Sequence, residues 1–206
     1  TIRDFSEAYP RVEMSLNASN DIVNLHRREA DVAIRISKEP APSLFGPVAT
    51  SQKAGFFASR DYLAKLDTHS PTPEAHTPGY VAFHWWGTNV PKPLAEIHPT
   101  ARVALVVDDM IAAVAAVRNG IGIGRMPCFV ANMHDDLVPV PGCPFEPYLD
   151  IWVLTHPELK RVERVRKFMQ FAAERIRARK NDFVSWEGER SKIVSGFDHD
   201  QFENEL

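Results

Sequence analysis

Val103-Ala104-Leu105-Val106-Val107-Asp108-Asp109-Met110-Ile111, followed at close range by Asn119-Gly120-Ile121-Gly122-Ile123-Gly124, is the stretch whose reading decides the fold. The apolar run predicts a strand, and the acidic pair supplies a helix cap. Met110, Ile111, Val114 and Val117 then recur at helical spacing and predict a helix with one face inward. Gly120 stands where a left-handed cap ends such a helix, and the second apolar run predicts another strand. Earlier in the chain the same plan recurs: Val12–Leu16, then Asn20-Asp21-Ile22-Val23-Asn24-Leu25, then Ala30-Asp31-Val32-Ala33-Ile34-Arg35. Strand, cap, helix, strand is a βαβ unit with parallel strands. Two such units predict two α/β lobes. Ligands of open α/β sheets bind outside the carboxyl ends of the strands, so two facing lobes would share a cleft.

The segments around these units read more simply. Ile2, Phe5 and Tyr9 predict a helix stopped at Pro10, so the chain is expected to begin inside a fold whose earlier part lies upstream. Val12–Leu16 alternates like a half-exposed strand, Asp31–Ile36 reads as a buried strand, and Lys53–Ser59 as another, followed by Arg60-Asp61-Tyr62-Leu63. Prolines 71, 73 and 78 mark irregular backbone entering a second lobe, where Tyr80–Phe83 forms a short strand. Phe129–Met133 predicts a helix, Leu137–Val140 an edge strand because of its proline, and Leu149–Thr155 the last strand. Pro157 opens a long helix with Val162, Val165, Met169, Ala172 and Ile176 as its apolar stripe. That helix is rich in Lys and Arg, whereas Asn181–Leu206 is acidic, an arrangement in which a tail folds back or stays solvated.

Composition excludes several classes. A chain of 206 residues, 44% hydrophobic, buries a real core, and a net charge of −3 provides no basic field for free-standing nucleic-acid binding. Cys128 and Cys143 are too few for a disulfide framework and have no metal spacing, which reads as reduced thiols in the cytoplasm. No apolar run reaches membrane length, and no signal segment opens the chain.

Taken in order, several motifs resemble LysR-type transcriptional regulators over residues 2–177. They are Phe5-x-x-x-Tyr9-Pro10-x-Val12, Asp21-Ile22-Val23-x-Leu25 leading to Asp31-Val32-Ala33-Ile34-Arg35, and Phe57-Ala58-Ser59-x-x-Tyr62-Leu63. Asp108-Asp109 with Asn119-Gly120-Ile121-Gly122-Ile123 and Pro127, and Val165-Arg166-x-Phe168, complete the set. The resemblance implies the effector-binding domain of such a regulator. That domain has two α/β lobes of the type II periplasmic-binding-protein kind, joined by crossovers near Phe56–Ser59 and Trp152–Thr155, with an interlobe ligand cleft. It places lobe I at residues 1–58 plus 156–182, lobe II at 59–155, and an acidic extension at 183–206. Three departures stand out: the winged helix-turn-helix and the domain's first strand are absent, the segment after Pro73-Glu74-Ala75 is short, and the tail is long.

Strand ends nominate the ligand-binding residues: Asn17, Ala18 and Ser19; Ile36 and Ser37; Phe83, His84, Trp85 and Trp86; Asp108 and Met110; Arg125 and Met126. Arg125 suits a carboxylate, Ser19 and helix-start amides suit an anion, and the aromatics suit a ring or an apolar wall. The same residues also have plainer readings, with the aromatics as packing, Arg125 as a structural ion pair, and Asp108 and Asp109 as caps. The expected ligand is a small organic anion, with no cofactor and no metal. Catalysis finds no support. His84, Cys128 and His134-Asp135-Asp136 show no nucleophile–base or metal-ligand spacing, and the glycine run follows its helix where a phosphate loop would precede it.

The expectation is therefore a cytoplasmic ligand sensor whose effector sits between the lobes and biases the lobe angle. DNA is reached only through a winged helix-turn-helix outside this chain, and the domain forms a homodimer or tetramer. Ile22–Glu29 and Phe129–Met133 are the candidate contact faces. The alternative is an exported solute-binding protein of a transporter with a similar two-lobe fold.

Overall fold

The computed structural model describes residues 2–18, 25, 29–67 and 77–186. In chain order its elements begin with α1 (Ile2–Ala8), β1 (Val32–Ser37), β2 (Val48–Thr50), β3 (Lys53–Ser59), α2 (Arg60–Asp67), β4 (Gly79–Phe83) and α3 (Lys92–Ile97). Next come β5 (Arg102–Val107), α4 (Met110–Arg118), β6 (Ile123–Pro127), α5 (Cys128–Ala131), β7 (Leu137–Pro139) and β8 (Glu146–Pro147). The chain continues through β9 (Asp150–Thr155), α6 (Glu163–Ala178) and α7 (Lys180–Val184).

The chain divides into two compact units, Thr1–Gln52 with Pro147–Phe183 and Lys53–Glu146 with Val184–Leu206. This division lies ahead of the crossovers expected at Phe56–Ser59 and Trp152–Thr155. Hydrogen-bond ladders account for the shift: β3 is laddered into the second unit's sheet and β9 into the first unit's.

The first unit is a three-stranded sheet in the order β1-β9-β2, with both neighbours antiparallel to β9. Burial of Ile151, Val153 and Leu154 makes β9 its centre. Helix α6 lays Val165, Met169, Ala172 and Ala173 on Ala49, Ile151 and Val153. The intervals of three and four keep those residues on one helical face. Phe5 of α1 is fully buried and meets Phe168 edge-on at 5.0 Å.

Several expectations for this unit are corrected. Val12–Leu16 is not a strand: residues 13–18 make no ladder, and Leu16 is 75% exposed. Alternation creates a strand only where a neighbour supplies hydrogen-bond partners. β1 is a strand but not a buried one, because it lies at the sheet's edge with Ile34 and Ile36 about half exposed. The long helix begins at Glu163 and not at Pro157, since a 3-10 turn over Leu159–Arg161 and an extended Val162 precede it. The helix expected from Asn20 lies outside the described residues apart from Leu25, which is buried.

The second unit contains a sheet ordered β5-β4-β6-β3-β7. β4 runs parallel to both β5 and β6, while β3 is antiparallel to β6 and β7. The expected βαβ unit is present, with α4 carrying the chain from β5 across to β6. Strand pleating sends neighbours to opposite faces. Phe57, Val81 and Met126 therefore join Ala113, Val114, Val117 and Leu137, whereas Phe56, Ala58, Tyr80, Ala82 and Ile123 join Leu94 and Val140. Asp109 is the cap that the sequence predicts, its Oδ1 accepting from the Ala112 amide at 3.0 Å, and Gly120 ends the helix at φ 74°. Ile111 does not face inward as expected, being 80% exposed. Rotation of about 100° per residue puts Ala113 there in its place. Helix α5 stops at Ala131, leaving Met133 outside it and exposed, and the proline-bearing β7 is an edge strand as read.

Close backbone approach explains one glycine pair. A Cβ on Gly122 would stand 2.4 Å from the Gly79 carbonyl oxygen, at the point where β4 meets β6. Just past α7, the Ser185 carbonyl accepts from the Asn132 side-chain amide at 2.9 Å, and Trp186 packs beside the α4-side core. Among the described residues no helix is long and apolar enough to cross a membrane. Gly122→Ala is expected to lower stability by about 1–3 kcal/mol, the usual cost of forced overpacking. Urea denaturation with no change in midpoint would mean that the backbones do not meet there.

Candidate functional site

Because β4 is parallel to both β5 and β6, three strands release their chains at one edge of the second unit's sheet. Phe83 ends β4 and leads into a single 3-10 turn, His84–Trp86. Val107 ends β5 just before the Asp109 cap, and Arg125 is the middle residue of β6, one past Gly124, the last residue paired with β4. The turn folds Trp86 back so that its ring meets Phe83 edge-on at 5.2 Å, and the Arg125 guanidinium lies over the Trp86 ring at 5.2 Å. Arg125 Nη2 also donates to Glu146 Oε2 at 3.3 Å. The Arg125 side chain is 18% exposed, so this cation sits in a partly desolvated setting where charge–charge and cation–π contacts gain strength.

The structure brings only some of the nominated residues together. Phe83, Trp86 and Arg125 form one cluster. His84 and Trp85 are exposed beside it, Trp85 at 64%. Met126 is corrected to a core residue. It is fully buried, because the pleat that sends Arg125 to one face must send its neighbour to the other. Met110 is partly buried against the α4-side core, and Asp108 is exposed at the end of β5. In the first unit Asn17 and Ala18 are exposed and belong to no strand, and Ser19 lies outside the described residues. Ile36 is 45% exposed, and Ser37 is half-buried with its carbonyl accepting from Trp152 Nε1 at 3.1 Å.

Two residues that sequence reasoning missed complete the cluster. Glu146 lies twenty-one positions beyond Arg125, and only the tertiary fold brings the two together. Tyr80 is 1% exposed beneath the site, and burial pushes its phenol up to about 12 against the opposing pull of the Arg125 charge. Its place was legible in the fully buried pattern of β4, but its closeness to Arg125 was not. A cavity of about 400 Å³, lined by Ser59, Tyr62, Lys65, Arg118 and Gly120 among others, lies instead at the opposite end of α4. Arg118 there binds Asp136 at 2.8 Å and holds its carboxyl below the usual range.

A doubly wound sheet edge carrying aromatics and one half-buried cation defines a small-molecule binding domain. The family model for the LysR substrate binding domain matches residues 1–177. Solved structures with the same fold include the regulatory domain of CrgA, a LysR-type transcriptional regulator from Neisseria meningitidis. It is 19% identical, with a TM-score of 0.68 over 85% of this chain and 89% of that one. The effector domain of AmpR from Pseudomonas aeruginosa is 15% identical, with a TM-score of 0.64 over 87% and 88%. The regulatory domain of an AphB variant from Vibrio vulnificus is 19% identical, with a TM-score of 0.61 over 86% and 90%. No curated protein matches the chain in sequence. The chain belongs to the LysR substrate-binding-domain family: it is the effector-binding domain of a LysR-type regulator, with the type II periplasmic-binding-protein α/β fold. The regulator reading thus prevails over the transporter component.

Tyr80 makes alkaline stability informative. Its folded phenol is raised above the unfolded value of 10, so the protein keeps this contribution in full below pH 10. Between pH 10 and about 12 the unfolded chain loses a proton that the folded one retains, and stability falls by roughly 1.4 kcal/mol per pH unit. As the pH rises through this range, the urea midpoint of wild type is expected to fall relative to that of Tyr80→Phe. Parallel curves would place the native phenol at its ordinary value.

Proposed function

We propose that this domain senses a small organic anion and that Arg125, stacked on Trp86, is the anion-binding group of the second unit. One observation carries the reading: a half-buried guanidinium is held at the carboxyl edge of parallel strands by an aromatic face. A guanidinium offers a planar fork that matches a carboxylate, and an aromatic platform fixes the plane of that fork. Glu146 then acts as the resident carboxylate that an incoming one displaces or joins, keeping the ligand-free cation satisfied. Phe83 and Trp86 supply the apolar wall beside it.

The effector acts only through its unequal affinity for the two states of the regulator. The domain performs no chemistry of its own and works in the cytoplasm as part of a homodimer or tetramer. A winged helix-turn-helix on the same polypeptide carries the DNA contacts.

Thermal shift against a panel of carboxylates, including benzoate, succinate and malate, tests this assignment. A ligand at a hundredfold excess over its dissociation constant stabilises the native state by about 2.7 kcal/mol. Arg125→Ala and Trp86→Ala are expected to abolish the shift. Glu146→Gln, which removes the competing charge, is expected to strengthen it. An undiminished shift in Arg125→Ala would remove this residue from the site.

A further inference from the structure

The cavity of about 400 Å³ at the far end of α4 lies wholly within the second unit and takes no part in the Arg125 cluster. Two helices and the approach to β4 build it. Tyr62, Lys65 and Leu66 stand three and four residues apart and so share one face of α2, while Arg118, Asn119 and Gly120 end α4 and Thr77 precedes β4. The two helices come close here, since a Cβ on Gly120 would lie 3.8 Å from the Tyr62 ring. The volume is that of a small-metabolite site.

Its lining is rich in donors whose accepting side is already taken. The Tyr62 phenol oxygen accepts from the Gly79 amide at 2.8 Å, and the hydroxyl of buried Ser59 accepts from the Tyr62 amide at 3.3 Å. Each keeps its own hydrogen to give. Arg118 commits Nε to both oxygens of Asp136, at 3.0 and 2.8 Å, and among the described residues its two Nη groups are committed to none. Lys65 and Thr77 add an ammonium and a third hydroxyl, so two cations face one carboxylate, Asp61, among the described lining residues. Open carbonyls at a helix end would repel an anion, but those of α4 are spent: Ala115 accepts from Asn119, Ala116 from Ile121 and Val117 from Gly120.

We infer that this cavity is a second ligand site, independent of Arg125, for a phosphate monoester of a small hydroxylated molecule. A phosphoryl group presents three strong acceptor oxygens and close to two negative charges, which match the Arg118 Nη pair, Lys65 and the three hydroxyls. A carboxylate offers only two oxygens and a single charge. The cavity is larger than a phosphoryl group alone. The remaining space takes the carbon skeleton, whose hydroxyls donate to Asp61 and to Asn119 Oδ1.

Glycerol phosphate, with glycerol and succinate for comparison, probes the full chain by calorimetry and by backbone amide resonances. The ester is expected to bind, glycerol not to, and the amide signals of Tyr62, Asn119 and Gly120 are expected to move. Lys65→Met and Arg118→Gln are each expected to weaken the ester about tenfold, the usual loss with a charged hydrogen bond. Ester binding that survives both substitutions undiminished overturns the inference, as does the absence of binding at millimolar ester. If Arg125→Ala abolishes binding and the moving signals are those of β6, the ester sits at the other cluster and the inference fails. If succinate moves the same three amides as strongly, the cavity does not select a phosphoryl group and the assignment falls. Should Arg118→Gln not fold, Lys65→Met and the wild-type amide signals decide: weakened binding with moving signals supports the site, and any other result overturns it.

Discussion

The parallel ladder of β4 with both of its neighbours is the constraint on which the second unit depends. A chain leaving β5 can enter β6 in the same direction only by crossing one face of β4, and α4 makes that crossing. The helix buries Ala113, Val114 and Val117 against the sheet, and the Asp109 carboxylate caps its first turn. Once the crossing is made, the carboxyl ends of β5, β4 and β6 lie on one edge. Phe83, Trp86 and Arg125 are placed by that fact, while Glu146 comes from β8, which pairs with β3. The ladder in turn relies on Gly79 and Gly122, where two backbones meet with no room for a side chain.

Electrostatics then sets what this edge can hold. Arg125 is flanked by a π face, a carboxylate and a buried phenol, so its charge is satisfied without being fully hydrated. Such a cation is poised for exchange, because Glu146 is more exposed than the arginine that it binds. The plainer reading of Arg125 as an ion pair and the proposed role of Arg125 as a ligand group are therefore compatible. The pair describes the resting state, and its partial exposure leaves access to a second acid.

How much of this was legible in the sequence depended on whether a pattern could be completed locally. The α4 unit was legible because its cap, its helical period and its terminal glycine all lie within twenty residues. Val12–Leu16 misled because alternation records which way side chains would point, not whether a neighbouring strand is there to bond. Arg125 and Met126 were nominated together, although a pleat cannot serve both. Applying the two-residue period more strictly would have removed Met126 beforehand. Glu146 and Tyr80 were out of reach for another reason: their significance arises from partners that only the tertiary fold determines.

Trp86 has an optical consequence. Its indole is half-covered, edge-on to Phe83 and under a guanidinium, whereas the adjacent Trp85 stands largely in water. The two rings therefore emit from different surroundings, with Trp85 providing a nearly constant background. Any molecule that draws Arg125 off the indole changes the field across Trp86 and hence its fluorescence, so the chain carries its own reporter dye for the state of that cation–π contact.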